Sequence, residues 1–165
     1  MTVRSGRWRP VLAAACSALA VAGLGALTTD LGPWYYGLHK PPWQPPDWLF
    51  GPAWTLIFAL AALAGVLYWE RCANRDARLQ IVAAFAFNAF LNTLWSLLFF
   101  RLKRPDLALY EVGFLWLSIV LLIVLLGRWS RSAAWLLVPY LAWVGFASIL
   151  NAKVVQLNAP FVTGG

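Results

Sequence analysis

Long apolar runs and short polar connections alternate along the chain. Five runs, at about 10–27, 51–69, 79–100, 107–127 and 133–157, match the ~20 helical residues needed to cross a hydrocarbon layer of ~30 Å. The second, third and most of the fifth carry no charge, and the fourth carries one, Glu111. Backbone N–H and C=O groups cannot stay unpaired in lipid, so each run is predicted to be a helix. The runs are too long, and lack the alternating polarity, for the strands of a membrane barrel. The fold class predicted is therefore all-α, an integral membrane bundle of five transmembrane helices. A basic tail (1–9) precedes one membrane domain (10–158), and a short tail (159–165) follows. Arg4, Arg7 and Arg9 precede the first run as they would in a signal peptide. That run is long for such a peptide and Thr28-Thr29-Asp30 is a poor cleavage site, so it reads as a span.

Composition agrees with the pattern: 62% of residues are apolar, 12% are charged and the mean hydropathy is +0.70. A soluble domain of this length could not cover that surface with polar groups. The net charge of +7 resides in the connections, where it acts on topology and lipid head groups rather than as a nucleic-acid face. Arg4, Arg7, Arg9, Arg71, Arg75, Arg78, Arg128 and Arg131 fall on one side, and Lys40, Arg101, Lys103, Arg104 and Lys153 on the other. This bias favours an inside amino terminus, with the 29–50 connection outside. Cys16 and Cys72 read as unpaired small side chains in or beside apolar runs.

The 29–50 connection is longer than linking two helices requires, and long ordered loops are often lids. Pro41, Pro42, Pro45 and Pro46 stiffen it, so Trp43 and Trp48 can be held at defined positions with little loss of entropy. Pro52 suits the first turn of the following helix. Trp8, Trp69, Trp129 and Trp135, near span ends, read as members of an interfacial aromatic belt. His39, the chain's one histidine, reads as a solvated lid side chain rather than a haem ligand.

Inside the spans, Asn88, Asn92 and Ser96 recur at helical spacing and give the third run a polar stripe, while Tyr140, Ser148 and Asn151 mark the fifth. Such groups either glue helices together or line a binding site. At ~1.5 Å per residue, Trp54 lies ~5 Å, Trp95 ~8 Å, Asn151 ~9 Å and Asn92 ~12 Å below the outer helix ends, with Trp143 nearer the midplane. These groups converge beneath the long loop. An aromatic cavity with a few polar groups suits flat, apolar ligands, and interior packing accounts for the same residues equally well. Glu111, near a helix start where the dipole favours it, is expected at the interface. Ala83, Ala86 and Ala89 permit close packing of a second copy.

Three ordered blocks carry a resemblance. The first is Trp34-Tyr35, Lys40-Pro41, Trp43, Pro45-Pro46, Trp48, Phe50, Pro52 and Trp54-Thr55; the second is Asn92, Trp95 and Phe99-Phe100; the third is Pro139-Tyr140, Trp143 and Leu150-Asn151. Together they make the chain resemble the translocator-protein family, known in bacteria as tryptophan-rich sensory proteins, over nearly all its length. The resemblance implies a five-helix membrane receptor or sensor in a bacterial cell envelope, commonly a homodimer. It would bind porphyrin-type tetrapyrroles beneath the first loop, in their transport or disposal, without a cofactor. Carried over by position, the ligand-binding residues are Tyr35, Trp43, Trp54, Asn92, Trp95, Trp143 and Ala147. The alternatives are light-dependent porphyrin degradation, with Trp54 and Trp143 as electron donors, and secondary transport of small hydrophobic molecules. Sterol binding loses its support, because Ala152 and Gln156 stand where the family's sterol-associated stretch places an aromatic and a basic residue.

Overall fold

The computed structural model describes residues 8–161, with the side chains of its first helix from Val11 onward. Arg4, Arg7, the Arg9 side chain, the Trp8 side chain and residues 162–165 lie outside the described part. Seven helices follow: α1 (Trp8–Thr28), α2 (Pro33–Gly37), α3 (Asp47–Arg71), α4 (Arg75–Ser96), α5 (Pro105–Gly127), α6 (Arg131–Trp135) and α7 (Val138–Asn158). Five helical segments are long and apolar enough to cross a membrane, and no strand occurs among the described residues.

Local chemistry explains where the helices begin and end. Pro46 precedes α3, which starts at Asp47, and so the helix opens four residues before the apolar run at 51. Pro52 consequently sits inside α3 rather than in its first turn, and one backbone hydrogen bond to the carbonyl of Trp48 is lost. After Ser96 the third span widens into a π-helical turn, Leu97–Arg101. It closes with Lys103 at φ 54°, the left-handed conformation of a helix stop, and with the Arg104 N–H donating to the Leu98 carbonyl at 2.9 Å. The fifth run is two helices. Pro139 has no N–H to offer the carbonyl of Trp135, and α6 ends at that residue.

The long helices neighbour one another with α5 at the centre. It packs against α4 and α7, while α1 lies on α3 and α4. One stripe of α5, comprising Ala108, Val112, Leu115, Ile119, Leu122 and Leu126, is buried at helical spacing. None of the described α1 residues is buried.

The polar stripe of the third span turns inward and is used between helices. Asn88 donates through Nδ2 to the Ser118 hydroxyl at 2.8 Å, and Ser118 donates to the Leu115 carbonyl at 2.7 Å. The Tyr140 hydroxyl donates to Asn88 Oδ1 at 3.1 Å and accepts from Asn92 Nδ2 at 3.2 Å. With its amide turned to suit both neighbours, Asn151 donates to the Pro105 carbonyl at 3.0 Å and accepts from the Leu109 N–H at 3.1 Å. Five buried polar side chains thus join α4, α5 and α7, each with a partner, as an apolar surrounding demands.

Glu111 is placed more closely by the fold: six residues into α5, about 9 Å from the helix start, it faces the bundle interior and is only 7% exposed. Helical phase puts Glu111 on the buried stripe between Ala108 and Leu115.

Candidate functional site: the lid and the aromatic layer beneath it

The lid is held by side chains that reach across it. Tyr35, on α2, is buried against Phe99, Ala108 and Val154 from the third, fourth and last spans. Its hydroxyl donates to Asp47 Oδ1 at 2.7 Å, and Gln44 Nε2 reaches both groups at 3.3 and 3.2 Å. Lys40 lies over the Tyr35 ring with Nζ 3.3 Å from its centroid, a cation–π contact. Burial, and then the hydrogen bond to Asp47, holds the Tyr35 phenol well above its ordinary range. Burial pulls Lys40 below its ordinary range, and nearby Asp47 opposes that shift. At the far edge, Asn158 at the end of α7 takes the lid backbone in two hydrogen bonds. The His39 N–H donates to its Oδ1, and its Nδ2 donates to the His39 carbonyl, both at 2.8 Å. The His39 side chain itself is exposed.

Beneath the lid, aromatic rings form two groups. The first connects lid, α3 and α7. Trp43 meets Phe146 edge-on at 6.0 Å between centroids, Phe146 meets Trp143 at 5.8 Å, and Trp143 meets Phe50 at 5.7 Å. One turn deeper, Trp54 stacks on Phe58 at 5.3 Å and meets Tyr140 edge-on at 6.0 Å, which ties it to Asn92 through the Tyr140 hydroxyl. The second group lies at the widened end of the third span. Trp95 stacks on Phe99 at 5.1 Å and meets Phe100 at 6.1 Å, and Phe100 meets Tyr35 at 5.8 Å. The π-helical turn displaces the chain there and presents both phenylalanines to the lid.

The residues singled out from sequence therefore divide. Trp43, Trp54 and Trp143 belong to the first group, Tyr35 and Trp95 to the second, and Asn92 is spent on Tyr140. Ala147 is half-buried beside Phe146. Trp48 is 72% exposed and turns away. Phe146 and Phe58 were not singled out, although Phe146 follows Trp143 at helical spacing and Phe58 follows Trp54 in the same way. The buried Trp143 Nε1–H has no partner among the described residues.

An open groove of about 660 Å³ lies elsewhere, between the outward faces of α5 and α7, and is lined by Tyr110, Gly113, Trp116, Gly145 and Ser148 among others. Gly145 lets the Trp116 indole lie against α7, since a Cβ there would stand 3.5 Å from Nε1. None of the seven expected ligand residues lines this groove.

A sequence model of the TspO/MBR family matches residues 12–157. The chain is 43% identical over 148 residues to the tryptophan-rich protein TspO of Chlorobaculum tepidum, covering 87% of this chain and 90% of that one. It is 39% identical to the TspO of Archaeoglobus fulgidus, covering 90% and 97%, and 37% identical to the tryptophan-rich sensory protein of Cereibacter sphaeroides, covering 88% and 87%. With five spans, a proline-stiffened lid and this likeness along nearly its whole length, the chain belongs to the TspO/MBR family of multi-pass membrane proteins.

Proposed function

We propose that this protein is a membrane receptor that takes porphyrin-type tetrapyrroles between its lid and the aromatic layer of α3, α4 and α7. The observation that carries this reading is the cluster of Trp43, Phe50, Trp143 and Phe146 under the latched lid, with Trp54 against Tyr140 one turn deeper. A flat conjugated ring replaces ring–ring contacts of this kind by contacts of the same sort, so exchange costs little once the lid lifts. The Trp143 Nε1–H supplies a donor already out of water. Lys40, in the lid, supplies a positive charge for carboxylates at the ligand's edge.

Titration of the purified protein with protoporphyrin should quench its tryptophan fluorescence saturably. Trp54→Ala, which removes the ring between Phe58 and Tyr140, is expected to weaken binding by about tenfold. Unchanged affinity in that variant would remove Trp54 from the site, and failure of the wild type to saturate would overturn the reading.

A further inference from the structure

Glu111 is the buried group for which the fold gives no structural use. Its carboxyl is among the few buried polar groups left unsatisfied, and neither oxygen has a hydrogen-bond partner among the described residues. An isolated carboxyl in an apolar surrounding is costly, and within a membrane span such groups mark functional positions.

Its place in the fold relates it to both aromatic groups. One turn toward the lid, Ala108 packs with Tyr35, Phe99 and Val154. One turn the other way, Leu115 belongs to the core that holds Tyr140 and Val144, against which Trp54 and Trp143 pack. Trp95 touches both cores, so Glu111 stands on α5 at the seam where they meet. Asn151 pins the first turn of α5 through Pro105 and Leu109, which fixes Glu111 in this position.

The chemistry of the neighbouring groups narrows its role. The Tyr140 hydroxyl, Asn88 Oδ1 and Ser118 each already accept a hydrogen bond. The Ser148 hydroxyl donates to the Val144 carbonyl at 2.7 Å, and Trp143 offers only a donor. Glu111 is thus the buried carboxyl here whose two oxygens both lack any hydrogen-bond partner among the described residues. We propose that Glu111 is a ligand-contact residue, the hydrogen-bond acceptor for an N–H group, a pyrrole or amine nitrogen, on the apolar body of the bound molecule. This rests on the ligand reading above and adds a chemical requirement to it. Shape and aromatic contact admit any flat apolar molecule, whereas an unpaired acceptor at the seam favours one that brings an N–H.

The test compares full-length wild type, Glu111→Gln and Glu111→Leu in detergent or nanodiscs, with protoporphyrin as the probe. Binding is read by tryptophan quenching, and infrared difference spectra report the carboxyl stretch that Glu111→Gln removes. The expected result is a ligand-induced change in that band, absent from Glu111→Gln, together with a three- to tenfold loss of affinity in Glu111→Leu, about the worth of one hydrogen bond. A band that does not respond to saturating protoporphyrin overturns the proposal, even where Glu111→Leu folds poorly. So does wild-type affinity in a folded Glu111→Leu. If wild-type protein does not bind protoporphyrin saturably, the ligand reading falls and this proposal falls with it, an outcome distinct from saturable binding that is indifferent to Glu111.

Discussion

The two ends of the bundle solve the same problem, joining antiparallel helices, in different ways. At the end opposite the lid, the connections are short and their fastenings largely local. Asn74 caps α4 by accepting from the Ala77 N–H at 2.9 Å, and Ser130 caps α6 by accepting from the Ala133 N–H at 3.2 Å. Arg71 ties the two connections together through Nη1, which donates to the hydroxyls of Ser130 and Ser132 at 2.9 Å each. Arg78 folds back over Trp69, 4.4 Å from its ring centroid, and donates to the Trp69 carbonyl. At the lid end no side-chain cap starts α2 or α3; Tyr35 is fastened to Asp47 twelve residues on, and His39 to Asn158 from the far end of the chain. A connection held by caps stays closed as long as its helices exist. One held by a few distant side chains can release while the helices remain intact, which is what a lid requires.

That contrast can be broken first at Asn158. Asn158→Ala removes both bonds to the His39 backbone, and hydrogen exchange of the lid amides is expected to speed up by about tenfold or more, with the unfolding temperature of the bundle little changed. A large fall in that temperature with unchanged lid exchange would mean the latch is part of the bundle's own stability. Ser130→Ala probes the other end. It removes a cap and one acceptor of Arg71, so it is expected to cost about 1 kcal/mol, lowering the unfolding temperature by a few degrees while leaving lid exchange as in the wild type.

The smallest effect is a pH dependence at Lys40. Burial lowers its pKa, so its charge is present at neutral pH and is lost as pH rises, earlier than for an ordinary lysine. Affinity for the dianionic protoporphyrin should therefore weaken by a few-fold from neutral to alkaline pH. Lys40→Met should show the weaker affinity throughout and a flat profile, measured by the same fluorescence titration. Tyr35 contributes no charge over this range, because burial and Asp47 keep its phenol protonated.

Much of this protein is legible in its sequence. The bilayer imposes length and apolarity on every span, so five helices follow from the run lengths, and Asn88, Asn92 and Tyr140 were marked because polar groups inside such runs must turn inward. Their choice between glue and binding site was open, and the fold spends them on one another. Hydropathy also leaves position within the bundle undecided: α1 and α5 are both strongly apolar, yet no described residue of α1 is buried and α5 forms the core. The reason is that lipid and protein interior reward the same side chains. Only packing separates the two environments. Packing likewise turned Glu111 into the bundle interior, through a helical phase that the sequence states only once the buried stripe of α5 is known. The sequence by itself determined the spans, the stiff lid and the supply of aromatic rings. The tertiary structure decided which rings meet, what latches the lid, and which buried polar group is left without a partner, because each of these depends on contacts between residues far apart in the chain.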